Sequence, residues 1–151
     1  MIVVVFCFIS MSIQNNIQAE VIASMKAGDT QKRDALRMIA SAIKNEVINK
    51  GELSEEQEIE ILARELKRLK DSLQEFETAG RAELIEKTKK EIEYVLAFMP
   101  AQASDEEIIA KAKEMMAGGV QEVNKLMGPL MKEFKGKADG TRVREIIMKL
   151  V

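Results

Sequence analysis

Residues Ser54–Phe76 read SEEQEIEILARELKRLKDSLQEF, and the periodicity of this stretch decides the fold. Ser54-Glu55-Glu56-Gln57 has the form of a capping box, in which a serine and a glutamine three residues on satisfy each other's free helix-start amides. Ile59, Leu62, Leu66, Leu69, Leu73 and Phe76 then alternate steps of three and four, a narrow apolar seam of the coiled-coil type. Glu60 with Arg64, and Lys67 with Asp71, are spaced to form surface pairs, each adding a few tenths of a kcal/mol. They read as solvated charges outside any site. Gly80 closes this helix, and the join Ala79-Gly80-Arg81 is too short for anything but a tight reversal. A second helix from about Ala82 carries Leu84, Thr88, Ile92, Val95 and Met99 on one face. The two form a long antiparallel hairpin.

Outward toward the N-terminus, two more helices are expected to cover the open face of that hairpin. The first runs over about Ile13–Ala27, with Ser12 as N-cap and Ile13, Ile17, Val21 and Met25 inward. Gly28 ends it, and Asp29 or Thr30 caps the next. That helix reaches about Asn49, turns Leu36, Ile39, Ala40, Ile43 and Val47 inward, and stops at Gly51. Residues 12–100 thus read as a four-helix N-terminal domain. The composition agrees: 46% of residues are hydrophobic but only 4% aromatic, which favours aliphatic helix packing.

Outward toward the C-terminus, Pro100–Ala103 reads as a linker. Ser104-Asp105-Glu106-Glu107 is a second capping box and opens a helix with Ile108, Ala112 and Met115 inward, closed by Gly118-Gly119. Val123, Leu126, Met127, Leu130 and Phe134 mark the next helical face. Pro129 removes a backbone donor and crowds the preceding turn, so a kink or break is expected at Gly128-Pro129. Lys135-Gly136 ends the run, with Gly136 free to turn left-handed. Asp139 can accept from the first amides of a last helix, Arg142–Leu150, whose Val143, Ile146, Ile147 and Leu150 face inward. Residues 104–151 form a small three-helix tail domain of fewer than fifty residues, which buries little by itself. The fold class is all-α.

Net charge is −2, so nothing global demands a nucleic acid. The distribution is more telling. Residues 120–151 hold seven basic and four acidic side chains, whereas residues 1–100 hold 14 and 17. The tail is the positive part of the chain, and a clustered positive face matters more for phosphate contact than the sum. Lys132, Lys135, Lys137, Arg142 and Arg144 gather around the join at Gly136 and Gly140, before a helix start that attracts anions. Two readings stand: a loop that holds a phosphate, or a capped connector among solvated lysines.

The sequence holds one cysteine, Cys7, and no histidine, so an intramolecular disulfide and the usual zinc sites are excluded. A reducing cytoplasm fits. Ile2–Ile9 is apolar but too short to span a membrane, and no basic residue precedes it as in a signal peptide. Residues 1–11 are expected to be a non-native or disordered extension, with Met11 as the true start; a hydrophobic anchor is the alternative.

No catalytic constellation can be read. Ser24, Ser41, Ser54, Ser72 and Ser104 lie at helix faces or caps, without a nucleophile elbow. Neither a phosphate-binding loop nor a dinucleotide fingerprint is present, so no cofactor is expected. Glu55-Glu56 and Glu106-Glu107 sit in first helical turns, where they favour the helix dipole.

Three stretches resemble the GatB/YqeY family: Arg33–Ile39 with Ala42–Glu46, then Phe76–Arg81 with Leu84 and Pro100, and above all Met127-Gly128-Pro129 leading to Gly136-Lys137-Ala138-Asp139-Gly140. They run in order from Ser12 to Val151, and the tail motif is the specific one. The family resembles the C-terminal extension of the B subunit of tRNA-dependent amidotransferases, which are carbon–nitrogen ligases with glutamine as amido donor. The resemblance implies tRNA contact by the tail domain, not that this chain carries that chemistry. On it, Lys132, Lys135, Lys137, Arg142 and Arg144 contact backbone phosphates and Gly136 and Gly140 shape the loop. The rival expectation is a non-catalytic helical module docking on an aminoacyl-tRNA synthetase or amidotransferase.

Overall fold

A computed structural model describes residues 12–151; the expectations for Cys7 and the rest of residues 1–11 lie outside the described residues. Seven helices follow one another: α1 (Ile13–Ala27), α2 (Thr30–Lys50), α3 (Glu55–Thr78), α4 (Ala82–Leu96), α5 (Asp105–Ala117), α6 (Val123–Glu133) and α7 (Gly140–Leu150). No strand occurs among the described residues, which are all-α.

The capping serines set the helix starts. Ser54 and Ser104 each accept from the amide three residues on, at 3.3 and 3.2 Å, while Gln57 and Glu107 reach back to the cap amides. Ser12 and Asp29 cap α1 and α2 by accepting from the Asn15 and Lys32 amides. A further cap comes from outside the helix. Glu58 of α3 is buried, 3% exposed, and its carboxylate accepts from the Ile13 and Gln14 amides at 3.0 and 3.3 Å. A buried carboxylate is thereby satisfied by two otherwise free donors.

Two hydrophobic clusters form. Ile17, Leu36, Ile39, Ile43, Ile61, Leu62, Leu66 and Val95 join α1 to α4. Ile108, Ala112, Leu126, Leu130, Phe134, Val143 and Ile147 join α5 to α7. α3 and α4 pack along each other across the turn at Gly80, and α2 lies on both. α1 packs chiefly on α2.

Several expectations are corrected. In α1 the buried position is Ser24, whose hydroxyl donates to the Glu20 carbonyl at 2.7 Å, and Met25 is 60% exposed. In α3 the buried face is wider than a coiled-coil seam, taking in Glu58 and Ile61, because α1 and α2 contact it as well as α4. α4 stops at Leu96, before Pro100, so the connection to α5 is longer than expected. α6 runs through Pro129 without a break. The residue before it is Gly128, which has no Cβ for the proline ring to crowd. α7 starts at Gly140, two residues before the expected Arg142, under the Asp139 cap.

Candidate functional site: the Lys135–Gly140 loop and the cleft on α3

The loop between α6 and α7 is folded back on α3 and on the connection after α4. The Phe134 carbonyl accepts from the Lys137 and Ala138 amides at 2.9 and 3.1 Å, which forces a sharp turn. Gly136 sits inside that turn at φ 73°, a left-handed conformation that favours glycine. Its α-carbon also faces α3: a Cβ there would stand 2.3 Å from Cγ2 of Ile59. The loop carbonyls are held from the other side. Gln102 donates its side-chain amide to the Gly136 carbonyl at 2.9 Å, and the Ala103 amide donates to the Lys137 carbonyl at 2.8 Å.

The seven residues singled out from the sequence fall into different environments. Lys135 lies 2.6 Å from Glu60 and 3.9 Å from Glu56 of α3. Its hydrogen bond to Glu60 raises the lysine above its ordinary value and lowers the glutamate below its own, the two shifts agreeing in direction. Arg142 is engaged by Asp105 at the start of α5, at 2.8 Å. Lys132, Lys137 and Arg144 are exposed and have no ion-pair partner among the described residues. Gly136 has the strained backbone just described. Gly140 does not: it opens α7 with no positive φ, and a Cβ there would meet Met131 at an ordinary 3.5 Å. Asp139 accepts from the Thr141 amide at 3.1 Å, the capping role expected of it.

Beside the loop lies a cleft of about 460 Å³ between the loop and α3. Its cations are mostly not those of the tail. Arg64, Lys67 and Lys70 line it from α3, Lys50 from the end of α2, and only Lys135 from the loop. Leu66, Met99, Met131 and Ala138 supply apolar lining. Glu46 pairs with Lys50 at 3.1 Å and with Arg64 at 3.0 Å, so Arg64 does not pair with Glu60 as its helical spacing suggested. Those two bonds, from Arg64 first and then Lys50, lower the Glu46 carboxyl. Lys67 and Lys70 have no ion-pair partner among the described residues. The expected Lys67–Asp71 pair does not form. A signal for this face was present: Glu60, Arg64, Lys67 and Lys70 recur at helical steps, so they share one side of α3.

Among the described residues no group of three or more Cys, Asp or Glu is placed to hold a metal ion. No helix of the described residues is long and apolar enough to cross a membrane. Residues 14–151 match the family of Yqey-like proteins, and the chain belongs to that family. No match to a curated protein was found.

Proposed function

We propose that this Yqey-like protein is a cytoplasmic, non-catalytic accessory protein, related to the tail of the tRNA-dependent amidotransferase B subunit, that contacts the backbone of tRNA. In this reading α1–α4 and α5–α7 act as two domains, and the second presents the RNA-contacting surface. The observation that carries it is the set Lys132, Lys137 and Arg144: three exposed cations without carboxylate partners around the loop that opens α7. Lysine and arginine contacts of this kind position RNA without reading its sequence. Lys135 and Arg142 are secondary candidates, because Glu60 and Asp105 compete for them.

The test is a titration of mixed tRNA against the full chain at two salt concentrations, with Lys132→Glu, Lys137→Glu and Arg144→Glu combined. The expected result is salt-sensitive binding by the native chain, whose salt slope falls by about two to three in the variant. Unchanged affinity for every tRNA would remove the tail from the reading.

The rival reading, a helical docking module, has less support. It needs an open apolar stripe on the hairpin. Leu66 is buried, and Ile59 and Phe76 are half-buried, with Ile59 lying under the tail loop.

A further inference from the structure

The cleft on α3 has a composition that phosphate contact alone does not call for. Its volume, about 460 Å³, suits a small ligand rather than a backbone strand passing over a surface. One wall is apolar, with Leu66, Met99 and Met131. The rim carries five cations against the carboxylates of Glu60 and Asp139, and Lys67 and Lys70, one helical turn apart, have no carboxylate partner among the described residues. A ligand that matches both parts is flat, apolar on its faces and anionic at one end. Methionine thioethers make favourable contacts with aromatic rings, and two of them face this space. Phosphates in turn suit a pair of exposed lysines with a guanidinium nearby.

We propose that this cleft is a nucleotide site: it takes the base of one unpaired RNA nucleotide against Leu66, Met99 and Met131, and the adjoining phosphates against Lys67 and Lys70, with Arg64 secondary because Glu46 holds it. The inference rests on the preceding reading only in taking the polyanion to be RNA; its residues lie mostly on α3 and not in the tail. It gives the folded-back loop a purpose, since Lys135, Gly136, Ala138, Asp139 and Gly140 form one side of the cleft. It also extends the path of the RNA from the tail onto the first hydrophobic unit. A free mononucleotide offers the same chemistry, so the probes must separate the two sources.

The experiment measures binding of fluorescein-labelled RNA hairpins to the full chain. One hairpin carries a single-stranded 3′ overhang, one is blunt, and one carries the overhang with its terminal bases removed; AMP serves as competitor. The variant is Lys67→Ala with Lys70→Ala, two exposed helix positions where alanine favours the helix. The overhang hairpin is expected to bind the native chain more tightly than the blunt or abasic one. The variant should lose about tenfold on the overhang hairpin, with a salt slope lower by about 1.4, and change little on the blunt one. Equal affinity for overhang and blunt hairpins in the native chain overturns the proposal, as does a variant that keeps full affinity for the overhang. If the tail variant of Lys132, Lys137 and Arg144 weakens both hairpins while the α3 variant weakens neither, the tail reading stands and the cleft does not. If no hairpin binds but AMP does, in a manner dependent on Lys67 and Lys70, the nucleotide site stands and RNA is the wrong source.

Discussion

Gly136→Ala should loosen the seat of the tail loop on α3, and the structure says by how much. Two costs meet at this position. An L-residue in the left-handed region costs about 1–2 kcal/mol. The added Cβ would also stand 2.3 Å from Ile59 Cγ2, well inside carbon–carbon contact, so loop and helix must part by about an ångström. Forcing a methyl into such a contact costs a further ~1–3 kcal/mol while the loop stays seated. Lifting the loop instead gives up the Gln102 bond to the Gly136 carbonyl and the Ala103 amide bond to the Lys137 carbonyl, about 1 kcal/mol each. It also gives up an exposed lysine–glutamate pair that contributes little. Either course adds about 2 kcal/mol to the backbone cost, so the expected loss is about 3–4 kcal/mol, and exchange at Ala103 tells whether the loop is undocked.

The assay is urea unfolding followed by far-UV circular dichroism, with hydrogen exchange at the Ala103 amide as the local report. That amide is protected by the Lys137 carbonyl while the loop is seated. Gly28→Ala is the control: Gly28 has nearly the same backbone, φ 74°, with nothing within 4 Å of a Cβ. It should lose only the backbone term, about 1–2 kcal/mol. Ile59→Ala removes the atom that is struck, so the double variant should be more stable than the sum of the singles by about 1 kcal/mol or more. If the two substitutions add to within about 0.5 kcal/mol, or if Gly136→Ala costs no more than Gly28→Ala, the seating contact has been misjudged.

Other substitutions test the remaining parts. Glu58→Ala leaves the Ile13 and Gln14 amides without their buried acceptor, for an expected loss of about 2 kcal/mol, or ~4–8 °C in thermal midpoint. Ser104→Ala removes one arm of the α5 capping box and should cost about 1 kcal/mol, measured by the same unfolding. The Lys135–Glu60 contact should respond to pH at both ends. Glu60 is held below its ordinary 4.5, so its contribution is full above that value and is lost as pH falls through the lowered one. Lys135 is raised above 10.5, so its contribution is full below that value and is lost as pH climbs through the raised one. An NMR titration of the Gly136 amide should show both steps, and Glu60→Gln should abolish the acid one; an acid step that persists in that variant points to another carboxylate. Asp105→Asn frees Arg142 and should tighten tRNA binding if that arginine lies on the RNA path, and leave it unchanged if it does not.

The helices were legible because most are bounded locally: a serine with glutamine or glutamate three residues on at α3 and α5, or a glycine after an apolar face, acts over one turn of chain; the start of α7 was read two residues late. What escaped was set by tertiary contact. Glu58 reads as one more first-turn acid in α3, and only the approach of α1 makes it a buried cap. Ser24 displaces Met25 because the face of α1 that meets α2 takes a three-residue step from Val21. Arg64 finds Glu46 on α2 rather than Glu60 on its own helix. Among the candidate site residues, sequence proximity placed Lys135 and Lys137 together, yet the turn at Gly136 sends one to Glu60 and leaves the other exposed.

That divergence bears on how the tail motif is to be understood. Its distinctive residues are already engaged in holding the fold. Lys135 holds Glu60, Gly136 meets Ile59, the Gly136 and Lys137 carbonyls take donors from Gln102 and Ala103, and Asp139 starts α7. Four of these contacts bind the loop to segments outside α6 and α7. The motif therefore acts first as a clasp between the two hydrophobic clusters, and any anion that sought Lys135 would have to displace Glu60. Cations available at no such cost lie on either side of the clasp, Lys132, Lys137 and Arg144 in the tail and Lys67 and Lys70 on α3. A polyanion long enough to meet both sets would bridge the clasp and hold it shut. Opening it by Gly136→Ala should then weaken RNA binding without removing a single positive charge, and full RNA affinity in a chain whose loop is shown to be undocked would refute the bridge.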